Sequence, residues 1–76
     1  MDKETEKVVL NLRWNLAACR VNRNMTQLEA SEKLHMSIAT LNGHENGKVK
    51  PSYAQLMAYS QLYGVPIEII DSEVRN

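Results

Sequence analysis

The sequence has a single cysteine, Cys19, which excludes a disulfide within the chain and is compatible with a reducing compartment. It has no apolar run near the roughly 20 residues that span a bilayer. Its acidic first residues, Asp2, Glu4 and Glu6, do not read as a signal peptide. No membrane partner and a cytoplasmic location are therefore expected. No glycine-rich phosphate loop and no Ser-His-Asp arrangement is visible, and Cys19, His35 and His44 lack the spacing of a zinc motif. The expectation is a protein that is not an enzyme, with no cofactor, no metal and no evident small-molecule ligand. Internal repeats and low-complexity segments are absent as well. With 76 residues, a second domain has no room and the core must be small, so a partner subunit could supply part of the stability. Residues 1–76 are expected to form one domain, frayed at residues 1–5 and 72–76.

The chain also lacks net charge, with nine basic and nine acidic side chains. Their distribution is uneven. Residues 1–10 carry −1 and residues 51–76 carry −2, whereas residues 11–50 carry +3, from Arg13, Arg20, Arg23, Lys33, Lys48 and Lys50 against Glu29, Glu32 and Glu45. This asymmetry favours an anionic partner for the middle of the chain.

That middle is where the start and stop signals concentrate. Thr26 with Glu29 forms a capping box, in which hydroxyl and carboxylate satisfy backbone N–H groups at a helix start. Ser37 is a second N-cap, so the first of these helices ends near Leu34 and the next covers Ile38 to Asn46, closed by Gly47 at the left-handed position. Only His35 and Met36 remain between them, and His35 must take positive φ. Helices joined so tightly cross steeply, as in a helix-turn-helix unit. Ser52 caps a further helix to Tyr63, with Leu56, Tyr59, Leu62 and Tyr63 inward and Gly64 closing it. Val65-Pro66 then opens a short last helix, since proline fits a first turn. Upstream, a long helix is expected from Thr5 to Arg23, ended by Asn24. Val9, Leu12, Leu16 and Cys19 form its core stripe, and Leu10, Trp14, Ala17 and Val21 a second stripe beside it. The second stripe packs under the C-terminal helices or makes a subunit contact centred on Trp14. Ile67, Ile69 and Ile70 crowd a segment too short to hide all three, which points to burial by a second copy.

The order TQ, KL, S, T, L and ENG over residues 26–47, followed by Pro51-Ser52, resembles the Cro and lambda-repressor type of helix-turn-helix domain, also called the xenobiotic-response-element family. The resemblance runs from Leu12 to Ile70. Departures are Ala30 where a larger aliphatic is usual, Ser31 for alanine and His35 for glycine. It implies an all-α fold, a compact five-helix bundle, and an ion pair between Arg20 and Glu45 that links the first helix to the recognition helix. It also implies roles for the exposed residues. Thr26 and Gln27 begin the helix whose first residues contact phosphate, and Gln27 matches a residue that also reaches a base. Asn46, Lys48 and Lys50 match backbone-contacting positions, and Ser37, Ile38, Ala39, Asn42 and Gly43 match reading positions.

Residues 38, 39, 42, 43 and 46 share one side of a helix at 3.6 residues per turn, while Leu41, His44 and Glu45 turn inward. That outer face bears no carboxylate and suits a DNA major groove. The function expected is a sequence-specific, DNA-binding transcriptional regulator, a homodimeric repressor of phage, mobile-element or restriction-control type acting on an inverted-repeat operator. The alternative, favoured by Gly43 and the neutral charge, is a protein-interaction module on the same scaffold.

Overall fold

Three serine or threonine N-caps set the frame of the molecule. A computed structural model describes residues 13–75. In it the Thr26, Ser37 and Ser52 side chains each accept the backbone N–H three residues on, and Thr26–Glu29 and Ser52–Gln55 are complete capping boxes. The helices that follow are α2 (Gln27–Leu34), α3 (Ile38–Glu45) and α4 (Tyr53–Tyr63). Before them comes α1 (Leu16–Asn22), and after them a 3₁₀ turn at Ile67–Ile69. Each end has its own device. His35 takes φ 55° after α2, Asn24 takes φ 58° after α1, and Gly47 and Gly64 sit at φ 69° after α3 and α4.

Two expected helices differ in the structure. The first helix, expected from Thr5 to Arg23, begins within the described residues only at Leu16, because the Asn15 side chain accepts the Ala18 N–H at 2.8 Å and caps it there. Residues 5–12, with Val9, Leu10 and Leu12, lie outside the described residues. Trp14–Asn15 is instead a short strand, β1, paired in parallel with β2 (Ile70–Asp71) in the register Trp14 with Ile70 and Asn15 with Asp71. The expected fifth helix is the second. Its segment makes only the three-residue 3₁₀ turn, with no side-chain cap, before Ile70 becomes extended to meet β1. Among the described residues the fold is therefore helical, with four α-helices and a two-residue parallel bridge in place of five helices. Ladder bonds to β1 satisfy backbone groups that an uncapped one-turn helix would have left open.

The core is Leu16, Cys19, Ala30, Leu41, Tyr59, Tyr63 and Ile70, all at most 2% exposed, with Met25, Leu34, Met36, Leu56, Leu62 and Val65 packed against it. Burying each larger side chain contributes about 1.5–3 kcal/mol. Of the second stripe, Val21 is 60% exposed, Trp14 39% exposed and Ala17 half-buried, while Leu10 lies outside the described residues. Ile70, expected at a subunit contact, is consumed by the chain's own core at 2% exposure and offers no surface to a second copy.

Candidate nucleic-acid interface

The geometry of α3 divides its residues cleanly. Leu41 and His44 are buried, and the Glu45 side chain is 4% exposed. Ile38, Ala39, Asn42 and Asn46 are exposed, and Gly43 is half-buried. The inner side is held at three points. Leu41 enters the core. His44 Nδ1 lies 2.8 Å from the Tyr59 hydroxyl, which is also 3.3 Å from Met36 Sδ, and the two rings meet edge-on at 5.8 Å. Glu45 receives Arg20 of α1 at two points, Nε to Oε2 at 2.7 Å and Nη2 to Oε1 at 3.2 Å. Arg20 also donates to the Met25 carbonyl at 2.9 Å, so one guanidinium ties α1, the α1–α2 loop and α3 together.

Burial shifts the titration of this inner layer. The His44 imidazole is lowered from its ordinary 6.5 by desolvation. The Tyr63 phenol, with no hydrogen-bond partner among the described residues, is pushed up to about 12, first by burial and then by the Glu45 charge. The Cys19 thiol is raised by burial, which makes it inert.

On the outer side, Ser37 Oγ is occupied in capping, accepting Thr40 N–H at 3.0 Å and donating to Thr40 Oγ1 at 2.9 Å. Thr26 is exposed and its backbone N–H and hydroxyl close the capping box with Glu29. Gln27 crosses from α2 to α3. Its Nε2 donates to Glu45 Oε1 at 3.0 Å and to Asn42 Oδ1 at 3.3 Å, and Asn46 Nδ2 donates to the same Asn42 oxygen at 3.0 Å. The sequence marked all three amides as surface contacts without signalling that they bond to one another. Two polar residues 15 positions apart carry no periodic signature.

Beyond α3 the chain folds back, with Lys48 N–H donating to the Gly43 carbonyl at 2.9 Å. Lys48 and Lys50 are exposed on this loop, and among the described residues neither meets a carboxylate within salt-bridge distance. The C-terminal segment, which forms no regular element, returns here: Arg75 N–H donates to the Gly47 carbonyl at 2.7 Å, burying Gly47. A hollow of about 380 Å³ lies elsewhere, between Trp14, Arg23, Val65, Pro66 and Ile69. No helix among the described residues is long and apolar enough to cross a membrane, and they hold no cluster of three or more metal-ligating side chains.

The arrangement thus offers an outward helix face without carboxylates, flanked by two lysines and backed by a braced inner side. A family model described as helix-turn-helix matches residues 16–70. No curated protein and no solved structure matches the chain.

Proposed function

Because the chain belongs to the helix-turn-helix family of Cro and lambda-repressor type, whose members are DNA-binding transcription regulators, we propose that it is a sequence-specific repressor of phage, mobile-element or restriction-control type. It binds an inverted-repeat operator as a homodimer. The observation that carries the reading is the division of α3: charged and aromatic anchors inside, and outside a face of exposed Ile38, Ala39, Asn42 and Asn46 with half-buried Gly43 among them. Such a face enters a major groove without repelling phosphate. Ser37 contributes to it through the helix N-terminus. Thr26, Asn46, Lys48 and Lys50 contact the backbone and position the domain without reading bases.

The subunit contact is formed by Trp14, Ile67 and Ile69. Trp14 is 39% exposed and borders the 380 Å³ hollow with Ile69. A twofold dimer places two recognition helices about 34 Å apart, one turn of DNA. Selection of bound sequences from random duplexes tests this. An enriched inverted repeat with half-site centres one turn apart supports it, and no enrichment at low salt rejects it.

One observation favours the alternative of a protein-interaction module. Val49, Tyr53 and Met57 are 56%, 69% and 42% exposed, respectively, in the loop and helix that follow α3, apolar surface that a protein partner would cover. That reading moves ahead only if the selection enriches nothing.

A further inference from the structure

Resting on the DNA-reading assignment of α3, we propose that Glu45, a residue that never reaches the groove, is a specificity determinant: it fixes which hydrogen-bonding atoms Gln27 and Asn42 turn toward a base. The relay starts at the carboxylate. Paired at two points with Arg20, it can only accept hydrogen bonds. Gln27 must therefore present its NH₂ group to Glu45 Oε1, because its carbonyl oxygen there would set acceptor against acceptor. The second Nε2 hydrogen then points at Asn42, which must answer with Oδ1. Asn46 Nδ2 reinforces that choice by donating to the same oxygen. In this way the amide orientations, which could otherwise flip, are set in series by one buried charge.

Each of the two amides keeps one group outside these bonds. Both Gln27 Nε2 hydrogens are engaged, so Gln27 has no donor left for a phosphate and offers only Oε1. Asn42 Oδ1 accepts two bonds, so Asn42 offers only its Nδ2 donor. One acceptor beside one donor matches adenine, whose major-groove edge carries the N6 donor next to the N7 acceptor. Guanine, which shows two acceptors there, confronts Gln27 Oε1 with O6. Adenine is thus read jointly by two residues whose polarity Glu45 imposes. The contact that Gln27 would make to phosphate by family resemblance is replaced by a base contact.

Replacing Glu45 with glutamine tests the relay. A carboxamide can turn either its oxygen or its NH₂ group to Gln27, so both polarities of the relay become accessible. In selection from random duplexes, wild type should prefer adenine over guanine at one position per half-site by about tenfold, the equivalent of one good base contact. Glu45→Gln should lower that preference to about twofold while the remaining positions of the motif keep theirs. An undiminished adenine preference in Glu45→Gln would overturn the proposal and leave the DNA-reading assignment standing. No enriched motif in wild type would overturn both. Since the variant also weakens the pair with Arg20, a second measurement uses the unmodified protein without DNA. In ¹⁵N NMR the Gln27 side-chain NH₂ protons should exchange with water more slowly than those of exposed Gln61, whose side chain makes no hydrogen bond among the described residues. Equal exchange rates would show that the relay does not form.

Discussion

The two faces of α3 are built from opposite materials. Its inner face places a full charge, an imidazole and an aliphatic side chain in contact with three other segments, at exposures of 4% or less. Its outer face has one branched aliphatic, an alanine, a glycine and two asparagines, held only by bonds between amides. The angle at which the helix is presented is therefore over-determined, whereas the surface it presents is sparse. Substitutions inside should cost the fold up to several kcal/mol, and substitutions outside should not destabilise the fold but change binding.

The largest effect should come from the ion pair. Glu45→Ala strands the Arg20 guanidinium, which is only 15% exposed, and should destabilise by about 3–5 kcal/mol in denaturant unfolding. A double-mutant cycle with Arg20→Ala isolates the pairwise term. Coupling near zero would assign the pair to surface chemistry worth little and would remove the main contrast between the two faces.

Next comes the His44–Tyr59 contact. Tyr59→Phe removes the only side-chain partner of His44 Nδ1 among the described residues and should cost about 1–3 kcal/mol. Its pH dependence has a definite sign. The folded state lowers the His44 value below 6.5, so the unfolded chain binds more protons in that window. The stability held by neutral His44 is complete above about pH 6.5 and declines as pH falls toward the lowered folded value. Urea midpoints at pH 7.5 and 5.5 should therefore differ in wild type and differ less in His44→Gln. Equal differences would mean that His44 tolerates its charge in place.

How these two faces could be read from the chain shows where sequence is informative. Capping residues act within four positions, so Thr26, Ser37 and Ser52 located the starts of α2, α3 and α4, and Asn24, His35, Gly47 and Gly64 the left-handed exits of α1 to α4. Helical periodicity likewise separated Leu41, His44 and Glu45 from the outer residues. The β1–β2 edge was illegible for the converse reason. Trp14 pairs with Ile70 across nearly the whole chain, and no local pattern announces a partner that distant. Periodicity extended the first helix through Trp14, when Asn15 was already a competent cap. Of the three isoleucines that crowd the last segment, β1 receives Ile70, which leaves Ile67 and Ile69 half-buried. In the candidate site, the lysines and the outer face were legible as positions, but the amide relay from Glu45 was not, since it depends on which atoms meet.

On the outer side the expected effects are smaller and appear in binding. Lys48→Ala should weaken all DNA sequences alike, leaving the motif unchanged. With about two phosphates neutralised per subunit by Lys48 and Lys50, the dimer's salt slope should be near −3.6, and the variant should flatten it by about 1.8. Measured affinities from 50 to 200 mM salt check this. A changed motif would move Lys48 from the backbone to the bases.

Gly43→Ala tests most directly whether the outer face meets DNA. An added Cβ would lie 3.6 Å from Val49 Cγ2, an ordinary contact, so the protein itself has room for it. Alanine in place of a mid-helix glycine should then stabilise the fold by about 1 kcal/mol. If the α3 backbone sits close to a groove, the same methyl should obstruct it. The account predicts a higher denaturant midpoint together with DNA affinity weakened about tenfold, equivalent to about 1.4 kcal/mol, both measured on one preparation. A more stable protein with unchanged affinity and unchanged base preference would contradict it.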